Sequence, residues 1–132
     1  MKQSHKSFDE ISEKIMQYLQ HRDWIPRKEK VRNIAISISL EANELLEHYQ
    51  WRNEANTTKD ELADDLADIM IYCFQYANTM DIDIAEAIEL KLKKQEEKYP
   101  VELFKDIDCE SQQANDIWVQ AKVRYNQKRN SL

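Results

Sequence analysis

Glycine is absent from this chain, and proline occurs only at Pro26 and Pro100. Tight β-hairpins rely on residues that accept positive φ, glycine above all, so the composition argues against a hairpin-rich β architecture and for helices. Cysteine is scarce too: Cys73 sits inside an apolar helical pattern and Cys109 in the C-terminal part, with no Cys-x-x-Cys spacing. The two read as free thiols of a cytoplasmic protein rather than a disulfide or a zinc site. His5, His21 and His48 are scattered, and neither a Ser-His-Asp arrangement nor a glycine-rich phosphate loop occurs, which argues against nucleophilic catalysis by a side chain. No apolar run approaches the roughly 18 residues of a membrane span, and Met1 to Glu10 does not have the character of a secretory signal. The net charge of −6 disfavours a partner that is a nucleic-acid polymer. At 132 residues the chain is expected to form one domain with a real core.

What is present is helical periodicity. Phe8, Ile11, Ile15, Met16 and Leu19 recur at helical spacing and predict a first helix from about Ser7 to His21. Pro26 then marks a break, and the loop Arg22-Asp23-Trp24-Ile25-Pro26-Arg27 sets an aromatic ring beside basic groups, as a base and its phosphates would require. The same tryptophan could equally fold over the domain edge. A second helix is predicted from about Lys30 to Arg52. Its opening half, Val31 to Leu40, is apolar or small on more than one face, which implies a subunit interface as well as a core. Thr58 with Glu61 has the spacing of a capping box and opens a third helix that runs through Cys73 and Phe74. Asp83 with Glu86 resembles another such start, for a fourth helix from about Ile84 to Lys98 that Pro100 ends. Val101 to Glu110 reads as a connector, and from Ser111 onward a peripheral helix ends in Lys128-Arg129. The expected class is therefore all-α: a four-helix module over residues 1–100, followed by a connector and an additional helix over 101–132.

The second and third helices each carry a pair of acids in an otherwise apolar pattern, Glu41-Ala42-Asn43-Glu44 and Asp65-Leu66-Ala67-Asp68. Residues three apart share a helix face, and Asn53 to Thr58 reads as a turn. The two helices should fold back as an antiparallel hairpin with 41 facing 68 and 44 facing 65. Early acids such as Asp60 and Glu61 suit a helix N-terminus; Asp68 lies too deep for that, and Glu61, Asp65, Asp68 and Tyr72 share one face like a cleft wall. Facing carboxylates repel unless protonated or neutralised, and a hard divalent cation with oxygen ligands is the common solution, so the hairpin is expected to bind Mg²⁺. Carboxylate-held Mg²⁺ recruits substrate phosphates and can activate water for attack on phosphorus. Lys91 and Lys98, two turns apart, could reach one shared anion, and Trp24, Trp51 or Tyr72 could stack on a base. The combination reads as a nucleoside triphosphate hydrolase.

From about Phe8 to Pro100 the chain resembles the all-α nucleoside triphosphate pyrophosphohydrolases of the MazG-like superfamily, in particular the small dCTP pyrophosphatase type. The matching features come in order: Arg22-Asp23-Trp24, Arg32-Asn33, Glu41-x-x-Glu44-Leu45, Tyr49-Gln50-Trp51, Asp68-Ile69-Met70-Ile71-Tyr72, Ile82-Asp83 before Ala87, and Lys91 through Lys98-Tyr99-Pro100. The resemblance implies a helical module assembled as a dimer or a dimer of dimers, and Mg²⁺-dependent hydrolysis of a (d)NTP to the monophosphate and pyrophosphate. It also implies roles: Glu41, Glu44, Asp65 and Asp68 as metal ligands, with Glu41 or Glu44 orienting the attacking water; Trp24, Trp51 and Tyr72 around base and sugar; and Lys91, Lys98 and Tyr99 at the phosphates.

The chain departs from the family pattern in places. Asp65 stands where a glutamate is usual, and a literal Glu-x-x-Asp occurs one turn earlier, at Glu61 and Asp64. Gln95, a further substrate-contact candidate, replaces a frequent Asn, and Ile15 stands where a His can stack on the base. Residues 101–132 lie outside the resemblance. Two other functions remain open at this point: a non-catalytic helical interaction module, and a pyrophosphohydrolase acting on a different nucleotide-like substrate.

Overall fold

The computed structural model describes residues 6–132; His5 and the first half of the Met1–Glu10 stretch lie outside the described residues. The described residues form six α-helices and no strand: α1 (Phe8–Gln20), α2 (Val31–Glu47), α3 (Lys59–Thr79), α4 (Ile84–Lys98), α5 (Val101–Phe104) and α6 (Gln112–Asn130). The all-α class read from the periodicity is what the chain adopts. The one-turn helix α5 falls inside the stretch expected to be an irregular connector. Pro100 precedes it as the N-cap residue, with an extended ψ of 141° that separates it from α4.

Side chains start the helices where the sequence supplies an acceptor. Ser7 accepts from the Glu10 N–H at 3.2 Å while the Glu10 carboxylate accepts from the Ser7 N–H at 2.7 Å, a full capping box that steers the entry of α1. Thr58 accepts from Glu61 N–H at the start of α3, and Ser111 from Ala114 N–H at the start of α6. With no glycine available, the left-handed positions that close helices fall to aspartates, whose short polar side chains tolerate this region better than most. Asp23 (φ 53°) and Asp81 (φ 56°) both occupy such positions. At each, the next residue's N–H returns to a helix carbonyl, Trp24 to Leu19 at 2.9 Å and Ile82 to Ala77 at 2.8 Å, the six-to-one bond of a Schellman ending.

Two compact units divide at Ile84 and Ala85. In the first, α2 packs along α3 as the expected hairpin and α1 lies against α3. Its core holds Leu19, Ile34, Phe74 and Ala77, with the Phe8 ring tilted against Phe74 at 5.7 Å. Ser12 and Asn78 tie α1 to α3 by paired hydrogen bonds of 3.0 and 3.1 Å. In the second unit α5 packs on α6, Ala114 and Ala121 are buried, and Tyr99 stacks on Trp118 with centroids 5.9 Å apart.

The predicted second helix stops earlier than its apolar pattern suggested, at Glu47 instead of near Arg52. The chain turns through Tyr49 to Arg52, with Trp51 at φ 65°, and the Asn56 N–H returns to the His48 carbonyl at 3.0 Å. Backbone bonds of the turn take the place of continued helix there. Within this chain, Ile36, Leu40, Leu66, Met70 and Ile71 on α2 and α3 are left exposed.

Candidate functional site

Four residues expected to act together stand on the α2–α3 hairpin. Glu41 and Asp65 are half-buried, Glu44 and Asp68 exposed. Partial desolvation raises the Glu41 carboxyl above its ordinary value, and the negative charges of Glu44, Asp68 and Asp65 push it the same way, as does a hydrogen bond with Glu44.

Asp65 has a partner that the sequence did not disclose. His48 Nε2 lies 2.7 Å from its Oδ2, while His48 Nδ1 lies 3.1 Å from Oδ1 of Asn56. Bonds to Asn56 and Asp65, with the charges of Asp65 and Glu61, raise the imidazole pKa against the opposing effect of desolvation. The signal was available in part: Glu41, Glu44 and His48 recur at three and four residues and share a face of α2. The turn that brings Asn56 back was not readable from that spacing.

Among the described residues, no three carboxylate, imidazole or thiol groups are gathered so as to hold a metal ion. The donor chemistry of the four acids still suits a hard cation. It offers only oxygen, and its mutual repulsion, seen in the raised Glu41, is what positive charge relieves.

Next to this acid face is a cavity of about 490 Å³, lined by residues of α1, α3 and the loop after α1. Trp24 and Tyr72, both expected around a base, line it together with Asp68, so the aromatic cavity and the acid face share a residue. The Schellman ending of α1 carries Trp24 back toward its own helix, where its ring meets Tyr18 edge-on at 6.2 Å. The Arg22 guanidinium lies 3.8 Å over the Tyr18 ring and 6.0 Å from Trp24. Ile15 lines the same cavity. Sequence reasoning passed over Lys14, Tyr18 and Gln75, which also line it. They sit on helix faces whose role emerges only once α1 and α3 are side by side.

Trp51 does not line this cavity. It is exposed over 92 % of its surface, at the tip of the hairpin beside Arg52, Asn53, Glu54 and Ala55. Lys91, Gln95, Lys98 and Tyr99 belong to the second unit. There Lys91 is exposed and Gln95 half-buried, and the Lys98 ammonium lies over the Tyr99 and Tyr125 rings at 5.2 and 5.7 Å.

Known proteins resemble the chain over most of its length. The MazG-like family matches residues 36–114. The chain is similar to dCTP pyrophosphatase 1 of Rattus norvegicus, 24% identical over 111 residues that cover 78% of this chain and 65% of that protein. To dCTP pyrophosphatase 1 of Bos taurus it is 25% identical over 114 residues, 80% of this chain and 67% of the relative. The chain thus spans about two thirds of the length of these relatives. Among solved structures, a pyrophosphatase from Archaeoglobus fulgidus DSM 4304 superimposes with a TM-score of 0.59 and 28% identity, over 76% of this chain and 98% of that one. The family match takes in both acid pairs and Tyr72 and exceeds half the sequence, and the archaeal fold is covered almost end to end: this chain belongs to the MazG-like family.

Proposed function

We propose that the chain is a nucleoside triphosphate pyrophosphohydrolase that adds water across the α–β phosphoanhydride of a (d)NTP, a new Pα–O bond forming as the bond from Pα to the bridging oxygen breaks, and releases the monophosphate and pyrophosphate. One observation carries the reading: the Trp24–Tyr72 cavity shares Asp68 with the acid face, so a base held between aromatic rings has its phosphates beside the carboxylates. The names of the relatives favour dCTP, or a related pyrimidine or modified nucleotide, as substrate. The thiols Cys73 and Cys109 are free, in keeping with a cytoplasmic enzyme of nucleotide-pool control. No helix of the described residues is long and apolar enough to cross a membrane.

On this reading Glu41, Glu44, Asp65 and Asp68 hold Mg²⁺, which when bound neutralises phosphate charge and acidifies water. One of Glu41 and Glu44 orients the water that attacks phosphorus and takes its proton. His48, bonded to both Asp65 and Asn56, keeps the Asp65 carboxylate turned in a fixed direction. Trp24 and Tyr72 stack on or edge the base, while Gln75 offers the cavity an amide with both donor and acceptor for a base edge.

Self-association belongs to the same proposal. Ile36 (44%), Leu40 (58%) and Leu66 (53%) are exposed on the hairpin. An apolar face of this kind is what a partner subunit covers, supporting a dimer or a dimer of dimers.

The test is pyrophosphate release with Mg²⁺ across canonical and modified (d)NTPs. Release from dCTP or a related nucleotide is expected, with loss in Glu44→Ala and Asp68→Ala proteins that keep their helical circular dichroism. Orthophosphate as the first product would contradict the bond proposed to break.

A further inference from the structure

A second cavity, of about 410 Å³, lies wholly within the second unit, between the end of α4, α5 and α6. Lys98, Arg124, Lys128 and Arg129 line it, against the single acidic side chain of Glu97. This inverts the character of a chain whose net charge is −6. Neither the Lys28–Asp81 nor the His48–Asp65 ion pair involves any of these four cations. What Lys98 faces instead is aromatic: the rings of Tyr99 and Tyr125, the latter also lining the cavity. The ring faces attract the ammonium without a carboxylate to offset its charge. Solvation and the negative end of the α6 dipole explain Lys128 and Arg129 near its last turn. They do not explain why Arg124, more than a turn earlier, and Lys98, from another helix, line the same concavity.

Like charges gathered around one hollow repel, and an anion that fills it relieves that repulsion. Guanidinium and ammonium donors together match the several oxygens of a phosphate group. We propose that this cavity is an anion site for a small molecule carrying more than one phosphate charge, separate from the carboxylate-bearing hairpin and independent of a divalent cation. Inorganic pyrophosphate and a nucleoside monophosphate both have the required chemistry. The first would use the cations alone; the second would add a base that the apolar lining of Pro100, Leu103 and Tyr125 can receive. The inference does not depend on the hydrolytic reading.

Isothermal titration of the full chain in EDTA at low ionic strength tests it, with inorganic pyrophosphate and a nucleoside monophosphate as probes. Without a divalent cation the hairpin carboxylates repel both. Saturable binding of at least one probe is expected, weakening as KCl is raised. In Arg124→Gln/Lys128→Gln the affinity should fall at least about tenfold, equivalent to about 1.4 kcal/mol. A Lys93→Gln/Lys94→Gln protein, which loses the same charge from α4 outside the cavity, should stay within about twofold. Tighter binding of the monophosphate identifies a base-assisted site, and tighter binding of pyrophosphate a purely ionic one. Absence of saturable binding, retained affinity in Arg124→Gln/Lys128→Gln, or an equal loss in both double variants would overturn the proposal. Should the first double variant fail to fold, Lys128→Gln alone gives the same comparison.

Discussion

Replacing Glu41 by glutamine separates what the acid face costs the fold from what it does. The Glu41 carboxyl is raised by partial desolvation and by the charges of Glu44, Asp68 and Asp65. Glu41 and Glu44, one turn apart on α2, stand about 6 Å apart, and at that separation in a water-like dielectric the pair repels by about 0.7 kcal/mol. With Asp68 and Asp65 adding to this from α3 and salt screening subtracting, the net cost is about 1 kcal/mol. Linkage gives the sign. The folded value lies above the unfolded one, so the folded chain holds the Glu41 proton more tightly. That stabilisation is complete below the ordinary value of 4.5 and is lost as pH rises through the folded value. At pH 7 the wild-type carboxylate is charged and repelled, whereas glutamine, of nearly the same shape, is not. Glu41→Gln should therefore melt about 4 °C higher than wild type in EDTA at pH 7, and the gap should close as pH falls below 4.5. Mg²⁺ should reverse the order: at a hundred times its dissociation constant it adds about 2.7 kcal/mol to a chain that binds it, and the variant should gain less. Pyrophosphate release should drop by at least about a hundredfold, the scale on which a displaced reacting group costs rate. A variant that melts lower than wild type in EDTA, or releases pyrophosphate at the wild-type rate, would refute the reasoning.

Trp24→Ala should raise KM about tenfold to a hundredfold with little change in kcat, since stacking on a base is worth about 1–3 kcal/mol and the ring lies in the cavity rather than among the acids; steady-state kinetics on the preferred nucleotide check it, and a loss confined to kcat would contradict it. His48, raised by its bonds to Asn56 and Asp65, stabilises the fold fully below its ordinary value of 6.5 and progressively less as pH rises through the folded value. Wild-type protein in EDTA should accordingly lose thermal stability on going from pH 6 to pH 8, and His48→Gln should show a flatter profile; parallel profiles would remove His48 from the account.

Helices, their starting caps and the shared face of each acid pair were determined by local chemistry, and so were open to reading from sequence. A three-residue spacing puts Glu41 beside Glu44, and Asp65 beside Asp68, in any α-helix, while Thr58 and Ser111 cap the helices they precede whatever the rest of the chain does. Even the order of motifs that marks the family is a property of the chain before it folds. Other features depended on neighbours distant in sequence. The Asp65–His48 bond needs both the hairpin and the return of Asn56. Trp24, Tyr72 and Asp68 meet in one cavity only because Asp23 accepts a left-handed conformation and α1 packs on α3. The basic cavity likewise takes Lys98 from one helix and Arg124 from another. Periodicity reports which way a side chain points from its own helix; what stands opposite is decided by the packing of separate helices, which no single helix's spacing encodes.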